Sequence, residues 1–131
     1  MNVIFYNNDE YSEAAGNLLS QHYSGKFPVD FFPQTGIAIC EAEIPVLIMP
    51  VYLEQSSSVA VAGHCCYNEK FSSRKKHYAT ELAIAQLENF AKKHNKKYLL
   101  AIWGRKSISD IAVKFGFSNT DVIQQQFKQV K

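Results

Sequence analysis

The chain has 131 residues, 47% of them hydrophobic and 20% charged, and its 14 basic and 12 acidic side chains give a formal net charge of +2. That is one domain's worth of chain, long enough to bury a core without staples. The near balance of charge argues against a nucleic-acid partner, because such proteins carry a strong basic excess.

The three cysteines, Cys40, Cys65 and Cys66, are odd in number and two are adjacent, which does not make a disulfide framework. No His or Cys spacing matches a zinc site, so no metal is expected. The longest apolar stretch, Ile44 to Leu53, is interrupted by Pro50 and is too short to span a membrane. Met1 to Asp9 has no basic flank and no apolar run of signal-peptide length, so the expected location is cytoplasmic.

A single domain over 1–131 is expected, of mixed α/β (α+β) class. Asn2 to Tyr6 reads as a strand, since Val3, Ile4 and Phe5 favour β structure. Asp9 then caps a helix with Tyr11, Ala15, Leu18 and His22 on one face; Ser24-Gly25 ends it, and Pro28 follows. Gly36 to Glu41 is the next strand. Glu43-Ile44-Pro45 makes a tight connection, and Val46 to Leu53 returns, with Pro50 marking a bulge or an edge. After a polar turn at 55–58, Val59 to Tyr67 is a further strand. Short turns join these strands, so they form an antiparallel meander.

The period then changes. Arg74 to His94 has helical spacing at Ala79, Leu82, Ala83, Leu87, Phe90 and Ala91, with Lys92 and Lys93 at the end that favours cations. Asn95 suits a left-handed stop. Tyr98 to Ile102 is a continuous apolar run, which makes 59–67, 74–94 and 98–102 a βαβ unit with parallel strands. Ser107 and Asp110 form a capping box for a short helix that Gly116 ends, and 117–127 closes as a last strand.

The start of the long helix carries the chemical signal. Arg74, Lys75 and Lys76 fill its first turn, where the helix dipole disfavours cations. An anion bound there resolves the conflict, because the free backbone N–H groups of a helix start already favour phosphate. A solvated basic patch is the alternative.

Arg74-Lys75-Lys76-His77-Tyr78-Ala79 with Leu82, the strand Tyr98 to Ile102, and the ending Lys114-Phe115-Gly116-Phe117 also appear in a particular order. In that order the chain resembles the GNAT superfamily of N-acyltransferases from about residue 2 to residue 127. The family places an N-terminal strand and helix before an antiparallel meander, then a strand–helix–strand unit that holds acetyl-CoA. Its helix-start signature is Gln/Arg-x-x-Gly-x-Gly/Ala. Two positions depart from the pattern: His77 stands at the central glycine, and Ala112 stands where members often carry a tyrosine general acid.

The resemblance implies direct transfer of an acetyl group from acetyl-CoA, a co-substrate, to an amine acceptor, with no covalent enzyme intermediate. The two parallel strands splay at their carboxyl ends, and the pantetheine arm pairs with the first strand near Cys66 and Tyr67. The backbone N–H groups of Arg74, Lys75, Lys76, His77, Tyr78 and Ala79 hold the pyrophosphate, Ser72 and Ser73 join the cofactor-binding set, and Trp103 walls the cleft. Glu69, past the end of the strand, and His64, within it, are the candidate catalytic bases; Glu54 is a third carboxylate considered for that role. Strand alternation places His64 and Cys66 on one face and Cys65 and Tyr67 on the other. Phe31 and Phe32 either line an acceptor pocket or belong to the core. Cys65-Cys66 reads as buried small thiols, not as a nucleophile. The competing function is a catalytically idle domain that binds CoA or a protein partner. A homodimer that completes the cleft is also open.

Overall fold

The computed structural model describes residues 1–21, 30–119 and 128. In chain order the elements are β1 (Asn2–Tyr6), α1 (Asp9–Ser20), β2 (Gly36–Glu41), β3 (Ile44–Leu53), β4 (Val59–Gly63), β5 (Cys66–Tyr67), α2 (Ser73–Lys93), β6 (Tyr98–Ile102) and α3 (Lys106–Lys114). The strands form one sheet in the order β1-β2-β3-β4-β6, with β5 also paired to β3. Every pairing is antiparallel except β4 with β6, which runs parallel from Val59↔Tyr98 to Gly63↔Ile102. This is the α/β arrangement expected from the sequence, with the βαβ unit where the change of period placed it.

The strand expected over 59–67 is broken in two. Ala62 pairs with Val51 of β3, and Cys66 pairs with Ile48. Between those pairs β3 advances three residues while the facing chain advances four. The extra residue makes a bulge, and His64 within it has φ +53°. Ala60 and Ala62 face the same core as α2. An unbroken strand would send Cys66 to that face as well. The extra residue reverses the alternation, so Cys66 lies on the opposite face among the residues under α1, while Cys65 and Tyr67 pack on the α2 side.

Pro50 explains how β3 tolerates a proline inside the sheet. Val51 N–H donates to Thr35 O on the β2 side at 3.0 Å. Donors alternate along a strand, so the nitrogen of Pro50 faces the β4/β5 side, where the bulge already interrupts the ladder.

Two layers of side chains hold the helices. On one face Ile37, Ile39, Leu47, Met49 and Val51 pack against Ala83, Ile84, Leu87 and Phe90 of α2 and Ile108 and Ile111 of α3. On the other, Tyr6, Ala38, Cys40, Ile48, Cys66 and Phe32 pack against Ala15, with Tyr11 and Leu18 at the margin. Cys40, Cys65 and Cys66 are free thiols.

Several ends differ from expectation. Asn8, not Asp9, precedes α1, and Asp9 joins Glu10 in the first turn, where carboxylates suit the dipole. His22, Ser24-Gly25 and Pro28 lie outside the described residues. The turn between β2 and β3 is Ala42-Glu43, with φ of 48° and 68°, so β3 starts at Ile44. Arg105 precedes α3 without a side-chain cap, so the Ser107/Asp110 capping box does not form; Asp110 instead pairs with Lys106 at 3.2 Å. Asn95 (φ 58°) and Gly116 (φ 94°) are left-handed, as expected of helix stops. Phe117 to Asn119 are not in a strand, and 120–127 of the expected closing strand lie outside the described residues.

Candidate functional site

The parallel ladder of β4 and β6 ends at Gly63↔Ile102. Beyond it β5 stays with β3, and the chain after β6 turns into α3. The gap between them opens beside the first turn of α2. A cavity of about 230 Å³ sits there, lined by Tyr67, Ser73, Lys76, His77, Thr80, Arg105, Ser107, Ile108 and Ile111.

The approach to α2 is shaped by Asn68. Its Nδ2 donates to Pro45 O at 3.0 Å, its Oδ1 accepts from Lys70 N–H at 3.1 Å, and its own N–H donates to Val46 O at 2.9 Å. This Asx turn directs the chain from β5 into the helix. Ser72 then caps α2, its Oγ accepting from Lys75 N–H at 3.3 Å. The amides of Ser73 and Arg74 belong to the first turn, whose donors no helical carbonyl can satisfy.

The three cations at this start behave differently. Lys75 Nζ lies 2.8 Å from Glu41, and Lys76 Nζ lies 2.7 Å from Glu69. Arg74 is exposed and has no ion pair among the described residues. Thus neighbouring carboxylates offset two of the charges that conflict with the dipole. His77 Nε2 is 2.7 Å from Glu81 one turn on. Tyr78 is exposed, and Ala79 is buried in the α2 core, so only its backbone could meet a ligand at the helix start.

Tyr67 reaches the cavity from β5. Its hydroxyl lies 2.6 Å from Thr80 Oγ1, and Thr80 donates to Lys76 O at 2.8 Å. Thr80 has one proton, and that bond uses it, so Tyr67 donates to Thr80. Burial pushes the Tyr67 phenol up, which keeps it a donor. Burial likewise pushes the Cys65 thiol up to about 12 and raises Cys66, whose Sγ donates to His64 O at 2.9 Å. Neither thiol is a thiolate near neutral pH, so neither serves as a nucleophile.

His64 sits at the bulge on the α1 side. Its ring meets Phe32 at 5.6 Å and Phe31 at 6.4 Å, both near edge-on. Desolvation pulls its pKa below the usual histidine value, so the ring is neutral at pH 7. Phe32 is core, while Phe31 is half-buried at its margin.

The structure therefore gathers Tyr67, Ser73, Lys76 and His77 around one cavity, whereas Ser72, Arg74 and Lys75, their neighbours in sequence, are not among its lining residues. His64 and Cys66 lie at the adjoining bulge but on the other face of the sheet. Glu69 is at the cavity margin, engaged with Lys76. Trp103 is not among the cavity's residues. It lines a larger open groove of about 1530 Å³ between α2, β6 and α3, with its ring 6.1 Å from Phe117. Glu54 stands at the opposite end of β4, where its carboxylate accepts from Ser56 N–H and Oγ; those bonds hold it below the usual range. The sequence reading did not single out Thr80 and Asn68. The Asn-x-Lys step between a strand and a helix was the available signal for Asn68. Thr80 carried none, since it reads as one more residue of the buried helical face.

Among the described residues, no cluster of three or more His, Cys, Asp or Glu side chains could hold a metal, and no helix is long and apolar enough to cross a membrane.

The fold has a counterpart among solved structures. A protein described as a putative acetyltransferase from Agrobacterium tumefaciens str. C58 superposes over 98% of this chain and 100% of its own, with a TM-score of 0.66 at 11% sequence identity. At that identity the similarity establishes a shared fold. No family model matches the sequence, and no curated protein matches it.

Proposed function

We propose that the chain is an N-acyltransferase that takes an acetyl group from acetyl-CoA and passes it to an amine. The observation that carries this reading is the gap between β4 and β6 opening directly onto the first turn of α2. One feature offers unpaired strand backbone to an extended arm, and the other offers amides and cations to a diphosphate. A fold shared with a protein described as a putative acetyltransferase agrees with it.

In this reading Ser72 to Ala79 hold the pyrophosphate, with Arg74 the cation free to meet it and Lys76 and Arg105 flanking the cavity. The arm follows Cys66 and Tyr67 along β5, and Trp103, just past the end of β6, lines the neighbouring groove. The amine nitrogen attacks the thioester carbonyl carbon. A C–N bond forms, the C–S bond breaks, and its electron pair leaves on sulfur. The nitrogen gives up a proton to the base, and the thiolate takes one from solvent. His64 suits the base better than Glu69, because it is neutral at pH 7 and stands at the bulge. Glu69 is already engaged by Lys76.

Thermal shift with acetyl-CoA tests the binding. Ligand at 100 times its dissociation constant adds about 2.7 kcal/mol of stability. No shift at millimolar ligand would sink the proposal. Arg74→Ala, Lys75→Ala and Lys76→Ala together should weaken CoA binding, and unchanged affinity would show the pyrophosphate lies elsewhere. Binding without CoA release over a broad amine panel would favour an idle domain that binds CoA, the alternative that His77 and Ala112 leave open.

A further inference from the structure

Ser73, Lys76, His77 and Thr80 stand at i, i+3, i+4 and i+7 of α2, so one face of that helix forms a wall of the cavity. Tyr67 of β5 closes it from a second side, and Arg105 and Ser107 at the start of α3 from a third. The lining holds Lys76, His77 and Arg105, and no carboxylate is among it. A lining of that sign suits an anion. Of the three side-chain types, histidine alone changes charge near neutral pH.

His77 is set up for that change. Its Nε2 lies 2.7 Å from Glu81 Oε1. A carboxylate only accepts, so Nε2 carries a proton and donates it to this bond. In the neutral ring Nδ1 is then an acceptor, which repels a phosphate oxygen. A second proton turns Nδ1 into a charged donor. Nδ1 has no hydrogen-bond partner of its own among the described residues. The other charges around the ring come from three places. Lys76, beside it on the helix, is held by Glu69 at 2.7 Å; Arg74 lies in the first turn; Arg105 lines the cavity from the start of α3. His64 is at the bulge on the α1 side and His94 follows the last turn of α2, so neither lines the cavity.

We propose that His77 binds the diphosphate of CoA through Nδ1–H and takes up a proton as it does so, with Glu81 as the positioning residue that fixes the ring and stabilises its charged form. This rests on the acyltransferase reading above. A diphosphate in the cavity brings negative charge to the ring, which favours the imidazolium. The histidine that stands where the resemblance expects glycine thereby supplies a charged side-chain contact at the point where a Cβ limits close approach of the backbone.

Calorimetric titration with CoA and with dephospho-CoA, repeated in buffers of different ionisation enthalpy, tests this. Dephospho-CoA keeps the diphosphate and lacks the phosphomonoester, whose own titration near pH 6 would mix with the signal. Wild type should take up part of a proton on binding dephospho-CoA, and should bind it about 3- to 10-fold more tightly at pH 6 than at pH 8.5. His77→Asn should lose both the uptake and the pH dependence. Glu81→Gln keeps an acceptor for Nε2 and removes the charge, so its affinity curve should move to lower pH. The two side chains are 57% and 45% exposed, so neither substitution threatens folding. Wild-type affinity for dephospho-CoA that is flat with pH would overturn the assignment, and so would a His77→Asn variant that keeps the wild-type uptake. An unmoved curve in Glu81→Gln would remove Glu81 from it. If wild type binds neither ligand at any pH, the acyltransferase reading itself fails and takes this role of His77 with it.

Discussion

At the scale of single residues, the sheet depends on positions whose importance is geometric. Gly36→Ala should destabilise the fold by about 1–3 kcal/mol or more, because its Cβ would meet Met49 O as well as Tyr6 at 2.4 Å. Urea denaturation measures this, and a variant as stable as wild type would mean the ring and backbone give way cheaply. Two histidines predict a pH dependence. Burial lowers His64 below 6.5, and burial with Lys93 and Lys96 lowers His94. Both groups bind protons more readily unfolded, so their contribution is present above about pH 6.5 and is lost as pH falls through the folded values. The melting temperature should therefore drop between pH 7 and pH 5, and His64→Asn should flatten part of that drop. An unchanged slope would remove His64 as a source. None of this was legible in the sequence: Gly36 looked like a strand start, and the left-handed φ of His64 follows from a register that only long-range pairing sets. The burial of Cys66 was legible, because free cysteines are usually buried, whereas its neighbour Cys65 is half-buried.

At the scale of elements, the sequence was most informative where a period ran long. α2 came out within a residue of the expected span, with Ser72 and Asn95 at its two ends. Short elements were harder. The capping box at Ser107 is a local pattern, and tertiary packing of Ile108, Ile111 and Ala112 outweighed it by starting α3 at Lys106. For the site, the helix start was visible as misplaced charge, whereas the carboxylates that answer that charge, Glu41 and Glu69, come from β2 and the β5–α2 loop and need the fold to be seen. Ser72→Ala should cost about 0.5–1 kcal/mol through the lost cap. Thermal denaturation without ligand checks it; no loss would show that the 3.3 Å bond contributes nothing in solution.

At the scale of the whole molecule, one sheet serves two cores on opposite faces, joined by strands that contribute side chains to both. A chain of this size should unfold as one unit. Ile48→Ala, on the α1 face, should cost about 2–5 kcal/mol. It should shift the Trp103 fluorescence transition, read from the other side, by the same amount as the circular-dichroism transition. Separate midpoints would show that the faces unfold independently. The fold class was legible from the order of elements, but the division of 59–67 was not, because both halves are equally β-forming. That division acts on the strand as a frameshift acts on a message: one added residue changes how everything downstream is read, without changing a single letter. A chain lacking either residue 64 or residue 65 would restore a common frame, matching 62 to 51 and the shortened strand to 48. Such a deletion should lengthen the ladder between β3 and the chain that follows β4, and added slowly exchanging amides there would reveal it.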